Sequence, residues 1–315
     1  MDLKSSGAGA VCGLVVLMSA CGGDGGSGVS STAASLGCAG GTLDADGTHI
    51  ELEHDGATRS YEIHLPPGYD GTSPLPLVLN FHGFTSNGPD QQSFTNMNVT
   101  ADSEGFVVAY PNGLDDSWNA GICCGRSATG NVDDVGFARA IVEDIGGRGC
   151  IDESRVYATG MSNGGFLSHR LACEAADVFA AVAPVAAVLG IDDAACTPSR
   201  PIPVIHLHGT GDMLVPYEGG GLAGSQSVED SIDGWRDRNG CTGERSVSYQ
   251  NGDATCVRYE RCDADTSVTL CTIEGAGHCW PGQPCRTGLG DLGESTTDID
   301  ANEAMWGLFS TVKLP

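Results

Sequence analysis

Short, continuously apolar runs alternate with helix candidates along this chain, and that alternation limits its fold more than any other feature. The runs are 75–81 (LPLVLNF), 105–110 (GFVVAY), 155–159 (RVYAT), 179–185 (FAAVAPV), 202–207 (IPVIHL) and 268–273 (VTLCTI). Runs this brief suit buried strands of a parallel sheet, which are covered on both faces. Between them lie the helix candidates 135–145, 164–175, 228–238 and 301–311. Alternating strands and helices imply an α/β sandwich with a mainly parallel central sheet. Upstream, 50–65 reads as two alternating strands about an Asp55-Gly56 turn, a hairpin signal, and Pro66-Pro67-Gly68 ends it. In such sheets, sites form beyond the carboxyl ends of the strands.

The cysteines place this fold in an oxidising compartment. Fourteen among 315 residues is heavy for a cytosolic protein and ordinary for a disulfide-braced exported one. Lys4 precedes an apolar stretch at 8–20 whose thirteen residues reach about 20 Å, short of the roughly 30 Å membrane core. Residues 1–21 therefore read as a signal peptide. The stretch ends in Met18-Ser19-Ala20-Cys21, which resembles a bacterial lipoprotein processing site. Lipidation of Cys21 would attach the protein to the outer envelope membrane; plain cleavage would release it. Residues 22–37 are rich in Gly, Ser and Thr and read as a tether, leaving 38–315 as one catalytic-size domain with twelve cysteines. With 41 acidic against 15 basic side chains, the net charge of −26 argues against nucleic acid as a partner.

Gly160-Met161-Ser162-Asn163-Gly164 is a G-x-S-x-G segment between a strand run and a helix candidate. That context exposes a serine hydroxyl on a tight turn and aims the following N–H and the helix N-terminus at the same point, where a developing oxyanion would be stabilised. The alternative is a glycine-rich turn whose serine only caps the helix. A serine nucleophile needs a histidine base and an orienting carboxylate, which in such folds follow in the order Ser, acid, His. Asp212 stands just past the run 202–207 and His278 just past 268–273, both on glycine-bearing loops. The run 75–81 leads into His82-Gly83-Phe84-Thr85, so the N–H groups of Asn163 and Phe84 are the expected oxyanion donors, with Thr85 as the near alternative. His82 reads as a loop brace.

These residues resemble a known family. Pro67-Gly68-Tyr69, His82-Gly83-Phe84, Ser117-Trp118-Asn119, Cys123-Cys124, the segment from Val132 to Phe137, Gly160-Met161-Ser162-Asn163-Gly164-Gly165, His208-Gly209-Thr210-Gly211-Asp212 and Gly277-His278-Cys279-Trp280-Pro281-Gly282 look like the feruloyl esterase and poly(3-hydroxybutyrate) depolymerase group, close to the family one carbohydrate esterases. The resemblance covers about 45–310 and implies the α/β-hydrolase fold, with Ser162, Asp212 and His278 as nucleophile, orienting acid and base. Cys279 stands where many members carry threonine, and could bridge to Cys285 or to the Cys123-Cys124 pair.

Cys241, Cys256, Cys262 and Cys271 are separated by 15, 6 and 9 residues, without the paired spacing of structural zinc sites. Cys241–Cys262, Cys256–Cys271 and Cys173–Cys196 are the expected bridges, although spacing alone leaves connectivity open. His206 and His208 face one side of a strand and read as structural rather than metal-binding. Asp133-Asp134 reads as a helix N-cap, with calcium as the weaker alternative. Trp118 and Trp280 are expected either in the core or lining an acyl cleft. The expected function is an exported serine carboxylic ester hydrolase, with no metal or organic cofactor, acting on feruloyl or acetyl esters of plant polysaccharide or on hydroxyalkanoate polyesters. The absence of an appended binding module leans toward soluble or oligomeric esters. A serine peptidase on the same fold is disfavoured because no added domain filters peptides. A surface-displayed binding protein would be expected to lack a triad member, and none is missing.

Overall fold

Each apolar run becomes a strand of one sheet. In a computed structural model, the folded unit comprises Thr32–Pro315, and the structure describes residues 34–40, 43, 48–221, 224–287 and 290–315. The expected signal peptide, its Cys21 and residues 22–33 of the expected tether lie outside the described residues. The strands are β1 (His49–His54), β2 (Ala57–His64), β3 (Leu75–Phe81), β4 (Val107–Asn112), β5 (Ile151–Met161), β6 (Ala181–Val185), β7 (Val204–Gly209), β8 (Ser246–Asn251), β9 (Ala254–Tyr259) and β10 (Val268–Ile273). Their spatial order is β1-β2-β4-β3-β5-β6-β7-β10-β9-β8. From β4 to β10 every neighbouring pair is parallel. The β1–β2 hairpin adds antiparallel to β4, and β9–β8 adds antiparallel to β10. The short pair β11 (Arg286–Thr287) and β12 (Gly290–Asp291) stands apart.

Two cores cover the two faces, which is why the central runs lack polar alternation. The helices are α1 (Gly88–Thr95), α2 (Met97–Glu104), α3 (Gly125–Thr129), α4 (Asp134–Arg148), α5 (Asn163–Glu174), α6 (Val228–Arg238) and α7 (Ala301–Phe309). Leu77, Leu79 and Phe81 share one core with Phe137 of α4, Leu171 of α5 and Trp235 of α6. Val78, Val108 and Tyr110 share the other with Met97 of α2 and Trp306 and Phe309 of α7. Each such side chain contributes roughly 1.5–3 kcal/mol through burial.

The unforeseen elements are those with little apolar patterning. Helices α1 and α2 are mostly polar; Asn87 starts α1 by accepting the Asp90 N–H at 2.9 Å, and Asn96 turns the chain between them at φ 50°. Every residue of edge strand β8 is exposed, so no alternation marked it.

Disulfides join Cys38–Cys150, Cys123–Cys124, Cys173–Cys196, Cys241–Cys262, Cys256–Cys271 and Cys279–Cys285. Cys256 and Cys271 lie opposite each other on β9 and β10. The four cysteines weighed as zinc ligands are thus in bridges. Beside Cys38, buried Ser35 donates to the Gly149 carbonyl at 2.7 Å and accepts the Ile151 N–H at 3.0 Å. Ala34 pairs with Asp152, so packing onto the body begins slightly before Cys38. The Asp133-Asp134 pair divides: Asp133 caps α4 through the Gly136 N–H, whereas Asp134 is buried and pairs with Arg59 at 2.8 Å. Only the first is the expected cap.

Candidate active site

The segment Gly160–Gly164 is a sharp strand-to-helix turn because two close approaches demand glycine. A Cβ on Gly160 would lie 2.6 Å from the Phe81 carbonyl oxygen, and one on Gly164 would lie 2.1 Å from the same atom. Between them Ser162 adopts φ 55° and ψ −122°, a strained conformation of the sort retained at functional sites. Its side chain makes no capping hydrogen bond to α5, which removes the helix-cap alternative. The nearby loop after β3 passes closely enough that a Cβ on Gly83 would sit 3.5 Å from Ser162 Cβ.

A ladder of backbone hydrogen bonds crosses the sheet edge from Ser162 toward the loop carrying His278. Ser162 N–H donates to Val185 O at 3.0 Å, Ala186 N–H to Leu207 O at 2.9 Å, Thr210 N–H to Ile273 O at 2.9 Å and Gly211 N–H to Ala276 O at 2.8 Å. The loops after β5, β6, β7 and β10 are thereby aligned. Within them His278 Nδ1 lies 2.7 Å from Asp212 Oδ2, and both side chains are nearly inaccessible. The partner is a carboxylate, so Nδ1 carries the hydrogen and Nε2 is the nitrogen left for proton transfer. Burial alone would raise the Asp212 pKa, but the nearby His208 imidazole and the hydrogen bond from His278 outweigh it and hold the carboxyl well below the usual range. Asp212 Oδ1 also accepts the Leu214 and Val215 N–H groups, each at 2.9 Å.

Of the candidate oxyanion donors, the Thr85 N–H is spent on Asp116 O at 2.8 Å. The Phe84 and Asn163 N–H groups donate to nothing among the described residues. His82 braces the loop: Nδ1 donates to Gly83 O at 2.7 Å and Nε2 accepts the Gly113 N–H at 2.9 Å. Burial pushes its pKa down to about 4, so it is neutral. Trp118 and Trp280 are fully buried and offer no face to a ligand, which corrects the cleft-lining expectation. Each indole N–H is satisfied inside, Trp118 on His82 O and Trp280 on Asn302 Oδ1. A position in a loop does not reveal depth. The apolar side chains exposed here are Phe84, Ile122 beside the Cys123-Cys124 pair, and Met213 beside Asp212.

The Asn163 side chain was not singled out by the sequence. Its Oδ1 accepts the Trp118 N–H at 2.7 Å, and its Nδ2 donates to Trp118 O and Cys123 O at 3.1 and 2.9 Å. One fully buried amide thus ties the 118–123 loop to the start of α5. The His278 loop has its own brace: its N–H donates to Leu292 O, and the next residue is bridged to Cys285. Among the described residues no group of three or more His, Cys, Asp or Glu is placed to hold a metal.

This sheet order and strand-to-helix turn are those of the α/β-hydrolase class. The acetyl xylan esterase of Aspergillus awamori shares the fold with a TM-score of 0.55 at 15% identity, over 84% of this chain and 100% of that one. The profile of the family described as Esterase PHB depolymerase matches residues 59–201. The feruloyl esterase B of Piromyces equi is 33% identical over 234 residues, which are 70% of this chain and 42% of that protein. A Nocardia uniformis subsp. tsuyamanensis protein named "Putative esterase NocK" is 31% identical over 289 residues, 84% of each chain. The chain belongs to the feruloyl esterase and poly(3-hydroxybutyrate) depolymerase family.

Proposed function

We propose that this esterase is an exported serine hydrolase in which Ser162 is the nucleophile, His278 the general base and Asp212 the orienting acid. The observation that carries the reading is the buried His278–Asp212 hydrogen bond of 2.7 Å on the sheet edge where Ser162 occupies the strained turn. His278 Nε2 takes the hydroxyl proton as Ser162 Oγ attacks the ester carbonyl. The Asn163 and Phe84 N–H groups stabilise the oxyanion, and the dipole of α5 adds to them. The alcohol leaves with the proton from His278. Water, deprotonated by the same nitrogen, then hydrolyses the acyl-enzyme.

The substrate class that fits best is a feruloyl or acetyl ester on polysaccharide. Relatives named for feruloyl and acetylxylan esters support it, as do the exposed apolar side chains of Phe84, Ile122 and Met213, each on a loop that also carries or adjoins a proposed site residue or the Cys123-Cys124 pair. The disulfides and the apolar N-terminal stretch support export. Lipidation at Cys21 would hold the enzyme at the outer envelope membrane.

Ser162→Ala should lower turnover of a p-nitrophenyl ester by at least ~10³-fold and abolish labelling by a fluorophosphonate. Wild-type turnover in that variant would refute the nucleophile. Methyl ferulate, acetylated xylan and poly(3-hydroxybutyrate), compared side by side, test the substrate: cleavage of the polyester alone would overturn the polysaccharide-ester reading.

A further inference from the structure

Behind the Asp212–His278 pair the mechanism leaves three buried histidines unused. His206 and His208 lie on β7, and His169 lies on α5, all at most 1% exposed. The tautomers of His206 and His208 follow from one atom. His208 Nε2 sits 2.8 Å from the Val215 carbonyl oxygen, which can only accept, so Nε2 carries the hydrogen. In a neutral ring Nδ1 is then the acceptor, and it receives the His206 Nε2 hydrogen at 3.1 Å. His206 Nδ1 is left as a bare lone pair in the core. On the far side, the Trp235 indole donates to His169 Nδ1 at 2.9 Å, and the His169 and His206 ring centroids are 5.4 Å apart.

Every oriented donor in the His206–His208 pair therefore points toward the acid loop. His208 Nε2 is also 3.5 Å from Asp212 Oδ2, the oxygen that accepts from His278. Val215 closes the circuit, since its N–H donates to Asp212 Oδ1 and its carbonyl accepts from His208. The His206 and His208 rings are nearly parallel, 8° apart with centroids at 5.3 Å, as the hydrogen bond between their edges requires, and the Tyr217 ring lies edge-on to His208 at 5.9 Å.

We propose that His208, oriented by His206, is a positioning residue that holds the Asp212 carboxylate in the geometry His278 requires. The proposal rests on the triad reading above and deepens it. A displaced carboxylate lets the imidazole turn, and misplacement near 1 Å can cost about 10²-fold in rate. His208→Phe, which keeps a ring but no donor, should lower kcat about 10-fold to 100-fold with KM little changed. His208→Gln places an amide N–H near the Nε2 position and should restore most of that loss, whereas His208→Asn, whose amide falls short, should not. The low-field proton resonance of the His278 Nδ1–H bond to Asp212 should shift or broaden in His208→Phe and return in His208→Gln.

Asp212→Asn provides the reference. It should cost ~10⁴-fold by itself, and adding His208→Phe to it should cost almost nothing more. If Asp212→Asn is nearly fully active, the triad reading fails. If Asp212→Asn is inactive while His208→Phe keeps wild-type kcat and resonance, the triad stands and this inference fails. Equal losses in the Gln and Asn variants would also overturn it, and that comparison holds if His208→Phe does not fold.

Discussion

Ser162, Asp212 and His278 could be picked out of the sequence because each follows an apolar run directly, and strand ends are local features. What the run pattern does not carry is the contact across 66 positions that joins His278 to Asp212 at 2.7 Å. Nor does it carry the Asn163 amide, whose partners lie 40 and 45 positions away. Tryptophan burial was equally unreadable, because the residues packed on Trp118 arrive from β2, β3 and the loop that follows β3. The same proximity makes the turn intolerant. In Gly164→Ala the new methyl would stand 2.1 Å from Phe81 O and 2.6 Å from His82 O, both backbone atoms. We expect a loss of about 1–3 kcal/mol or more, read from urea unfolding, together with loss of esterase activity. Gly147 of α4 is the control, since nothing lies within 4 Å of its Cβ position. Gly147→Ala should gain roughly 0.5–1 kcal/mol from helix propensity, and equal effects at the two sites would contradict the steric account.

At the scale of elements, the disulfides divide by what they join. Cys38–Cys150 closes a span of 112 residues and fastens the start of the body to the turn between α4 and β5. Cys279–Cys285 spans only six and braces the loop that carries His278. Loop-closure entropy predicts a stability loss of ~5 kcal/mol for opening the first and ~2 kcal/mol for the second. The paired serine variants should therefore rank in that order by denaturant midpoint. Opening Cys279–Cys285 should in addition lower kcat, because His278 loses a fixed neighbour. A larger midpoint shift from the six-residue bridge would contradict this division. Helices α1 and α2 show the limit of pattern reading at this scale: caps and a few buried residues hold them, and neither has an apolar face long enough to announce a helix.

For the whole molecule, buried neutral histidines set the acid limit. Burial holds His82 down to about 4 and His169 to about 3, and pushes His206 well below its usual value of 6.5. Below about 6.5 the unfolded chain binds protons that the folded chain refuses, so this contribution is complete above that pH and is lost as pH falls toward 4 and 3. Each group accounts for about 1.4 kcal/mol per pH unit inside its window. Urea midpoints should be nearly flat between pH 7 and 8 and fall steeply from pH 6.5 to 4; a midpoint unchanged at pH 5 would contradict the neutral assignments. The sequence alone determined the alternating α/β plan, the hairpin, the G-x-S-x-G turn and the family, because each depends on residues close together in the chain. Only the tertiary structure decided which indoles lie in the core, which N–H groups beside Ser162 have no partner among the described residues, and how close His208 comes to Asp212. Those depend on separate segments meeting in space, where distances of a few ångströms decide the chemistry and local pattern does not specify them.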